Sequence, residues 1–402
     1  MSSPHTVRWG IMATGWIAES KKNSNPMFCK DLLTDPACRG VSDVRHEIVA
    51  AASSTSKDRA QDFLAETIKA PGSPRAYGSY AELVADRDVD IVYVATPHSH
   101  HFQNAMLALE AGKNVLCEKA FTVTAAQARR LVAAARARRL FLMEAVWTRY
   151  FPLSVKVREL VRQGAVGPVY RVLADNSFAN GAGDGERVTF ADAHRMVNPD
   201  LAGGALLDLG IYSLTWLMQI LYHLQPEADR EKPVVAAAVN KYPATGVDES
   251  TALVLTFPRH KSMGLGTTSL RVATDPDGPF SGGPAIRIQG AKGEIQVQGP
   301  AFRPLQYRVV LQGGGGKTEV VDCPIPRDDR AGWGHGMFWE ADEAARCLRD
   351  GRLESATLPL DESVVIMEVM EEALRQGGVE YPELITTDVF DPQSPLNTGK
   401  SS

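Results

Sequence analysis

"VDIVYVATPHSHHFQNAMLALEAGKNVLCEKAF", residues 89 to 121, decides the fold. Ile91 to Ala95 is a short, continuous apolar run rich in β-branched residues, and Val115 to Cys117 is another. Between them "HFQNAMLALEAG" has helical spacing and ends on glycine. Apolar strands joined through a helix read as a parallel pair buried on both faces. Glu118 and Lys119 then stand at the carboxyl end of the second strand, immediately before apolar Ala120 and Phe121. Open parallel sheets bind ligands beyond the carboxyl ends of their strands, so this charged pair is a candidate for chemistry.

The same alternation extends in both directions. Val7 to Met12, Ile48 to Ser53 and Leu140 to Met143 read as further strands. "KDRAQDFLAET", "SYAELVADR" and "TAAQARRLVAAARARR" read as helices, the last opened by a Thr124–Gln127 capping box. Residues 1–148 are therefore expected to form an α/β domain, a Rossmann doubly wound parallel sheet. After "WTRYFP" the pattern changes. A long helix near 204–223 is followed by "VVAAAVN", "TALVLTF", "SMGLGTTSLRV", "AIRIQG", "EIQVQ" and "LQYRVVLQ", with "GGGG" at 313–316 as a hairpin tip. Residues 149–402 are expected to form an α+β domain with a large, mostly antiparallel sheet, closed by two helical patterns, "MFWEADEAARCLRD" and "ESVVIMEVMEEALRQGG".

Composition narrows the function classes. With 44% apolar and 23% charged residues the chain reads as globular, and a net charge of −5 argues against nucleic acid or an anionic membrane as partner. Five scattered cysteines without a CxxC pair fit a reducing compartment, and the amino terminus lacks the apolar core of a signal peptide. A cytoplasmic location is expected.

"VRWGIMATGWIAES" reads as strand, tight turn and helix start. Aligned with a dinucleotide fingerprint, Ala13, Thr14, Gly15, Trp16 and Ile17 form the phosphate loop, keeping only the middle glycine. One glycine after a strand is shared by many strand–turn–helix connections. The second strand ends in Ser53 and Ser54, where an acidic residue would select NAD, and Lys57 and Arg59 follow. Two hydroxyls and two cations suit a 2′-phosphate, so NADP is expected.

In combination these motifs resemble the Gfo/Idh/MocA family of nicotinamide-dependent oxidoreductases, in which "ATPxxxH" ends the fourth strand and "EKP" the fifth. "FLMEAVWTRYFP", "HRMVNPDLAGG", "AGGALLDLGIY", "GHGMFWEAD" and "YPELITTDV" are similar to its branch of dimeric dihydrodiol dehydrogenases and fungal NADP-dependent D-xylose dehydrogenases. The similarity runs from Val7 to Gly399, with breaks at 20–26 and at Ala120, where the broader family has proline. A cis bond before a residue other than proline costs about 3 kcal/mol, which puts a cis peptide after Lys119 in question.

The resemblance implies that Ala95, Thr96, Pro97, His98 and His101, with Glu118 and Lys119, lie along the cofactor. His98, His100 and His101 are then not a metal site, and no metal is expected. It further implies that Lys119 and Tyr212 are the acid/base pair, with Asp208 four residues before Tyr212 on one helix face. Tyrosine titrates near 10, and a neighbouring ammonium lowers that by favouring the phenolate. Trp147 is expected to stack on a sugar and Asn176 to meet its hydroxyls; for Trp147 the bland alternative is a buried strand end. The implied reaction is oxidation of D-xylose, or a related aldopyranose, at C1 to the lactone. Alternatives are trans-dihydrodiol oxidation and, in another class, a dinucleotide-sensing regulator. The open face of the second sheet is expected to form a homodimer.

Overall fold

The computed structural model describes residues 3–14, 27–183, 185–278, 281–313, 318–329 and 334–399. The chain divides into two compact units. The first comprises residues 1–147, 325–364 and 383–402, and the second residues 148–324 and 365–382. Sequence reading draws a single boundary at 148/149. The division instead assigns two later stretches to the first unit, among them the helix Phe338–Arg349. The apolar face of that helix is spent on the first sheet, which periodicity alone does not reveal.

The first unit is built on six parallel strands: β1 (His5–Met12), β2 (Val44–Ala52), β3 (Arg75–Tyr77), β4 (Ile91–Val94), β5 (Asn114–Glu118) and β6 (Leu142–Ala145). Their order is β3-β2-β1-β4-β5-β6, so the winding reverses between β1 and β4. Trp9, Ile11, Ile91, Val92, Val115 and Leu116 are all fully buried, as expected of strands covered on both faces. The helix Ala125–Arg138 opens with a reciprocal capping box between Thr124 and Gln127. The helix Phe338–Arg349 is held to β2 by a buried network. Trp9 Nε1 donates to His46 Nδ1 at 3.1 Å, His46 Nε2 meets Asp342 Oδ1 at 2.9 Å, and Arg39 grips both Asp342 oxygens at 2.8 Å.

The second unit carries eight strands: β7 (Val169–Asp175), β8 (Val234–Lys241), β9 (Asp248–Phe257), β10 (Ser262–Ser269), β11 (Ile286–Gly290), β12 (Gly293–Val297), β13 (Gln306–Leu311) and β14 (Glu319–Asp322). The order is β14-β13-β12-β11-β7-β10-β9-β8; the β7–β10 pairing is parallel and the others antiparallel. The helix Ile211–Leu221, buried along its whole length, packs on β7 and β10. Gly264 and Gly266 permit the approach, since a Cβ at either would meet Leu217 Cδ1 at 3.1 to 3.2 Å. Pro199–Leu221 is apolar enough to cross a membrane, yet 94% of its apolar window is buried inside the fold, the mark of a core helix. On the opposite sheet face Ala236, Val254, Leu265 and Leu173 pair side by side across four strands; Ala236 is exposed and the other three are half-buried. The "GGGG" reading falls largely outside the described residues, between β13 and β14.

Candidate active site

In the first unit the strand ends converge at the β1/β4 reversal, the topological switch point of a doubly wound sheet. Ala13 follows β1 with a φ of 97°, a left-handed conformation taken by alanine where the fingerprint has glycine. Thr14 and Thr96, beyond β1 and β4, are buried, and each hydroxyl lacks a hydrogen-bond partner among the described residues. Buried hydroxyls are normally paired, so two orphans at a switch point fit a ligand that supplies the partners, as a dinucleotide would. Gly15, Trp16 and Ile17 lie outside the described residues.

Ala95, Thr96, Pro97 and His98 lead into the helix His101–Glu110. His101 is fully buried between two carbonyls: Nδ1 lies 2.8 Å from Ala120 O and Nε2 2.9 Å from Thr96 O. Burial depresses its pKa to about 4, so the ring is neutral and donates to one carbonyl at a time. It ties the loop after β4 to the residue following Lys119, a clamp rather than a base.

Glu118 ends β5. Its carboxylate accepts the Tyr93 hydroxyl and, at 3.1 Å, the backbone N–H of Lys119. The Lys119–Ala120 peptide is cis, against the doubt raised by alanine at this position. Phe121 N–H donates to Glu144 at 3.0 Å, so β6 fixes the chain just past the lysine. Lys119 itself is half-buried.

Beyond β2, Ser53 is buried, and its Oγ lies 3.0 Å from Thr55 Oγ1. Ser54 is half-buried, whereas Thr55, Lys57 and Arg59 are exposed. Of the two serines, Ser54 is the more accessible to a phosphate. Trp147, just past β6, is buried and stacks on His335, with ring centroids 4.9 Å apart and planes 22° off parallel. His335 is set by Asp31, whose buried carboxylate accepts the backbone N–H groups of His335, Gly336 and Met337 at 2.7 to 2.9 Å. Sequence reading missed His335, since nothing local links "GHGM" to a tryptophan 188 positions earlier. It also missed Glu340. That carboxyl is fully buried without a hydrogen-bond partner among the described residues; burial, then the charges of Glu118 and Asp31, raise its pKa well above the carboxylate range.

In the second unit the expected residues gather at the start of one helix. A π-helical turn, Leu206–Gly210, precedes Ile211–Leu221, so Asp208 sits in a widened turn and Tyr212 in the first regular one. Arg195 Nη1 donates to Asp208 Oδ1 at 2.9 Å. The arginine lies in the quoted "HRMVNPDLAGG", but its role was not legible there. His194 stacks on Phe190 at 4.6 Å; burial, then the charge of Arg195, holds its pKa below 6.5. Asn176 is buried, and its amide donates to Leu209 O at 3.1 Å, so it braces the π-turn. Phe302 bridges two other rings, 5.7 Å from Tyr212 and 5.9 Å from the more exposed Phe178. Among the described residues no group of three or more His, Cys, Asp or Glu is placed to hold a metal.

Known proteins align along the whole chain. It is 66% identical over 398 residues to D-xylose 1-dehydrogenase (NADP(+)) of Hypocrea jecorina, covering 99% of this chain and 98% of that one. It is 34% identical to human trans-1,2-dihydrobenzene-1,2-diol dehydrogenase, covering 94% and 98%. Among solved structures, the aldose-aldose oxidoreductase of Caulobacter crescentus superposes with a TM-score of 0.69 at 23% identity, covering 92% and 97%, which establishes the shared fold. Residues 8–146 match the Gfo/Idh/MocA oxidoreductase family's NAD-binding Rossmann fold, and residues 154–296 match its C-terminal domain. Matched by both domain models and by relatives along nearly its whole length, the chain belongs to the Gfo/Idh/MocA family of oxidoreductases.

Proposed function

We propose that this protein is an NADP-dependent dehydrogenase that oxidises D-xylose, or a related aldopyranose, at C1 to the lactone. The observation that carries the reading is the near full-length similarity to the Hypocrea jecorina enzyme, at an identity twice that to the dihydrodiol dehydrogenases. Thr14, Thr96, Ser54, Lys57 and Glu118 are the residues that would hold NADP. When bound, NADP supplies the hydride acceptor.

The chain's own side chains do the rest. Tyr212 takes the proton of the C1 hydroxyl, and Lys119 favours the phenolate that makes it a base. Asp208, its carboxylate steadied by Arg195, orients the sugar hydroxyl. Trp147, with His335 against its ring, walls the sugar. Ala13 and His101 shape the loops, while Pro97 and His98 would border the cofactor.

A second reading is favoured by one observation. The Phe178–Phe302–Tyr212 series offers an aromatic surface suited to a trans-dihydrodiol. Comparing kcat/KM for D-xylose and trans-benzene dihydrodiol with NADP decides between them. An advantage for the diol removes the sugar assignment. Slow turnover of D-glucose is expected, because an extra group at C6 is resisted by bulk alone.

We also propose a homodimer through the partly exposed apolar row of Ala236, Val254, Leu265 and Leu173, in a reducing, cytoplasmic setting supported by five free thiols. Light scattering at micromolar concentration giving the single-chain mass of 43.6 kDa would exclude the dimer.

A further inference from the structure

The turn between Arg195 and Asp208 is pinned from several sides. Gly204 N–H donates to Met196 O and Gly203 N–H to Asn198 O, both at 2.9 Å, and Tyr381 Oη donates to Gly203 O at 2.6 Å. At its end stands Asp248, the first residue of β9 and fully buried. Asp248 Oδ2 accepts the Leu206 N–H at 2.6 Å and the Thr251 hydroxyl at 3.3 Å. Oδ1 has no hydrogen-bond partner among the described residues. It lies where a side chain on residue 204 would begin, 2.0 Å from an ideal Cβ, and Gly204 has a φ of +126°. A fully buried carboxyl pressed against glycine is a poor choice for stability alone, and a serine or asparagine would accept the same Leu206 N–H. A carboxylate adds negative charge at the amino end of the helical segment that carries Asp208 and Tyr212.

We propose that Asp248 is a positioning residue for the oxidation: its carboxylate holds the start of the Leu206–Leu221 segment and so fixes Asp208 against Arg195 and the direction of Tyr212. The inference rests on the roles given above to Asp208 and Tyr212. The ionised form is the one that holds the segment. Burial pushes the Asp248 pKa up to about 7, so the charge changes near neutrality. The titratable groups around it are distinguishable. Burial, then the charge of Asp248, raises the Tyr381 phenol well above 10, so it stays neutral. His194 titrates below 6.5, and Arg195 and Asp208 form the ion pair itself.

The test is steady-state kinetics of the full chain with D-xylose and NADP from pH 5.5 to 9. In the wild type kcat should rise with pH through about 7. Asp248→Asn keeps an acceptor for Leu206 and removes the charge. It should lower kcat at pH 8 about three- to tenfold, abolish that limb, and leave KM for NADP within about twofold. Gly204→Ala, which drives a methyl into the carboxylate, should show a similar kcat loss with Asp248 intact. A wild-type kcat and pH profile in Asp248→Asn overturns the proposal. So does a loss in Asp248→Asn that is uniform with pH. If the wild type turns over neither sugar nor diol, the functional reading falls, and hydrogen exchange decides this one. Faster exchange at the amides of 206–212 in Asp248→Asn supports positioning, and unchanged exchange overturns it.

Discussion

Replacing Asp342 with asparagine should destabilise the first unit by about 4 kcal/mol. Arg39 and His46 have fully buried side chains, and Asp342 is 1% exposed. The asparagine is nearly isosteric, so no cavity opens. What is lost is the negative charge that compensates the Arg39 guanidinium, together with one of two accepting oxygens. Removing one partner of a buried ion pair costs about 3–5 kcal/mol, because the other charge is left in a medium that solvates it poorly. The hydrogen bond to His46 adds about 1 kcal/mol. Arg39 retains Thr34 Oγ1 at 3.2 Å and the Phe338 ring at 4.7 Å, which holds the total near the middle of that range.

Urea unfolding followed by circular dichroism measures the effect. With a slope of about 3 kcal/mol per molar urea, the midpoint should fall by about 1.3 M. A double-mutant cycle separates pairing from packing. Arg39→Met alone should cost several kcal/mol, whereas Arg39→Met with Asp342→Leu should recover at least half of the summed loss. A fall of less than about 1 kcal/mol for Asp342→Asn, or strictly additive single losses, would refute the argument.

Tyr212→Phe should lower kcat by about 10²–10⁴-fold while NADPH fluorescence titration shows unchanged affinity; near-normal turnover would remove the phenol from the chemistry. Lys57→Ala should weaken NADP about tenfold or more and leave NAD unaffected, as read by KM for each cofactor, since a hydrogen bond to a charged group contributes about 1.5–3 kcal/mol. His46 links stability to pH. Burial holds its folded pKa below 6.5, so the unfolded chain takes up a proton first as pH falls. Its contribution is complete above about 6.5 and is lost as pH drops below that, so urea midpoints should fall between pH 7.5 and 5.5, and less so in His46→Gln.

The parallel sheet was legible because its strands are apolar on both faces. β1, β4 and β5 were placed within two residues at each end. β2 begins four residues before the expected Ile48, because "VRHE" looks like a charged loop. His46 is buried there only through partners at positions 9 and 342. The edge strands β3 and β14 are three and four residues long and carry too little pattern to be read. In the candidate site, the strand-end and helix-start residues were expected from the family resemblance. Arg195, Asp248 and His335 were not, because each meets a partner that only tertiary packing brings near, and Glu340 was not, because nothing local marks its burial. Asn176 shows a second task that its type did not announce: its amide donates to Leu209 O.

The segment Glu383–Gly399 lies along the first unit like a strap. Gln127 Nε2 donates to Ile385 O and Thr387 O, Gln103 to Val389 O, and Asn104 to Leu396 O, while Gly399 packs on Ser54. During synthesis the six parallel strands leave the ribosome more than two hundred residues before this strap does. The second sheet must be translated in between. A nascent first unit therefore waits without the strap carbonyls that the Gln103, Asn104 and Gln127 amides reach, and Ser54 meets Gly399 only when residue 399 arrives. Long-range closure of this kind slows folding and exposes the open sheet meanwhile. A chain cut before 383 should therefore bring its parallel sheet out of the cell in a less soluble form than the whole chain, although it keeps every strand.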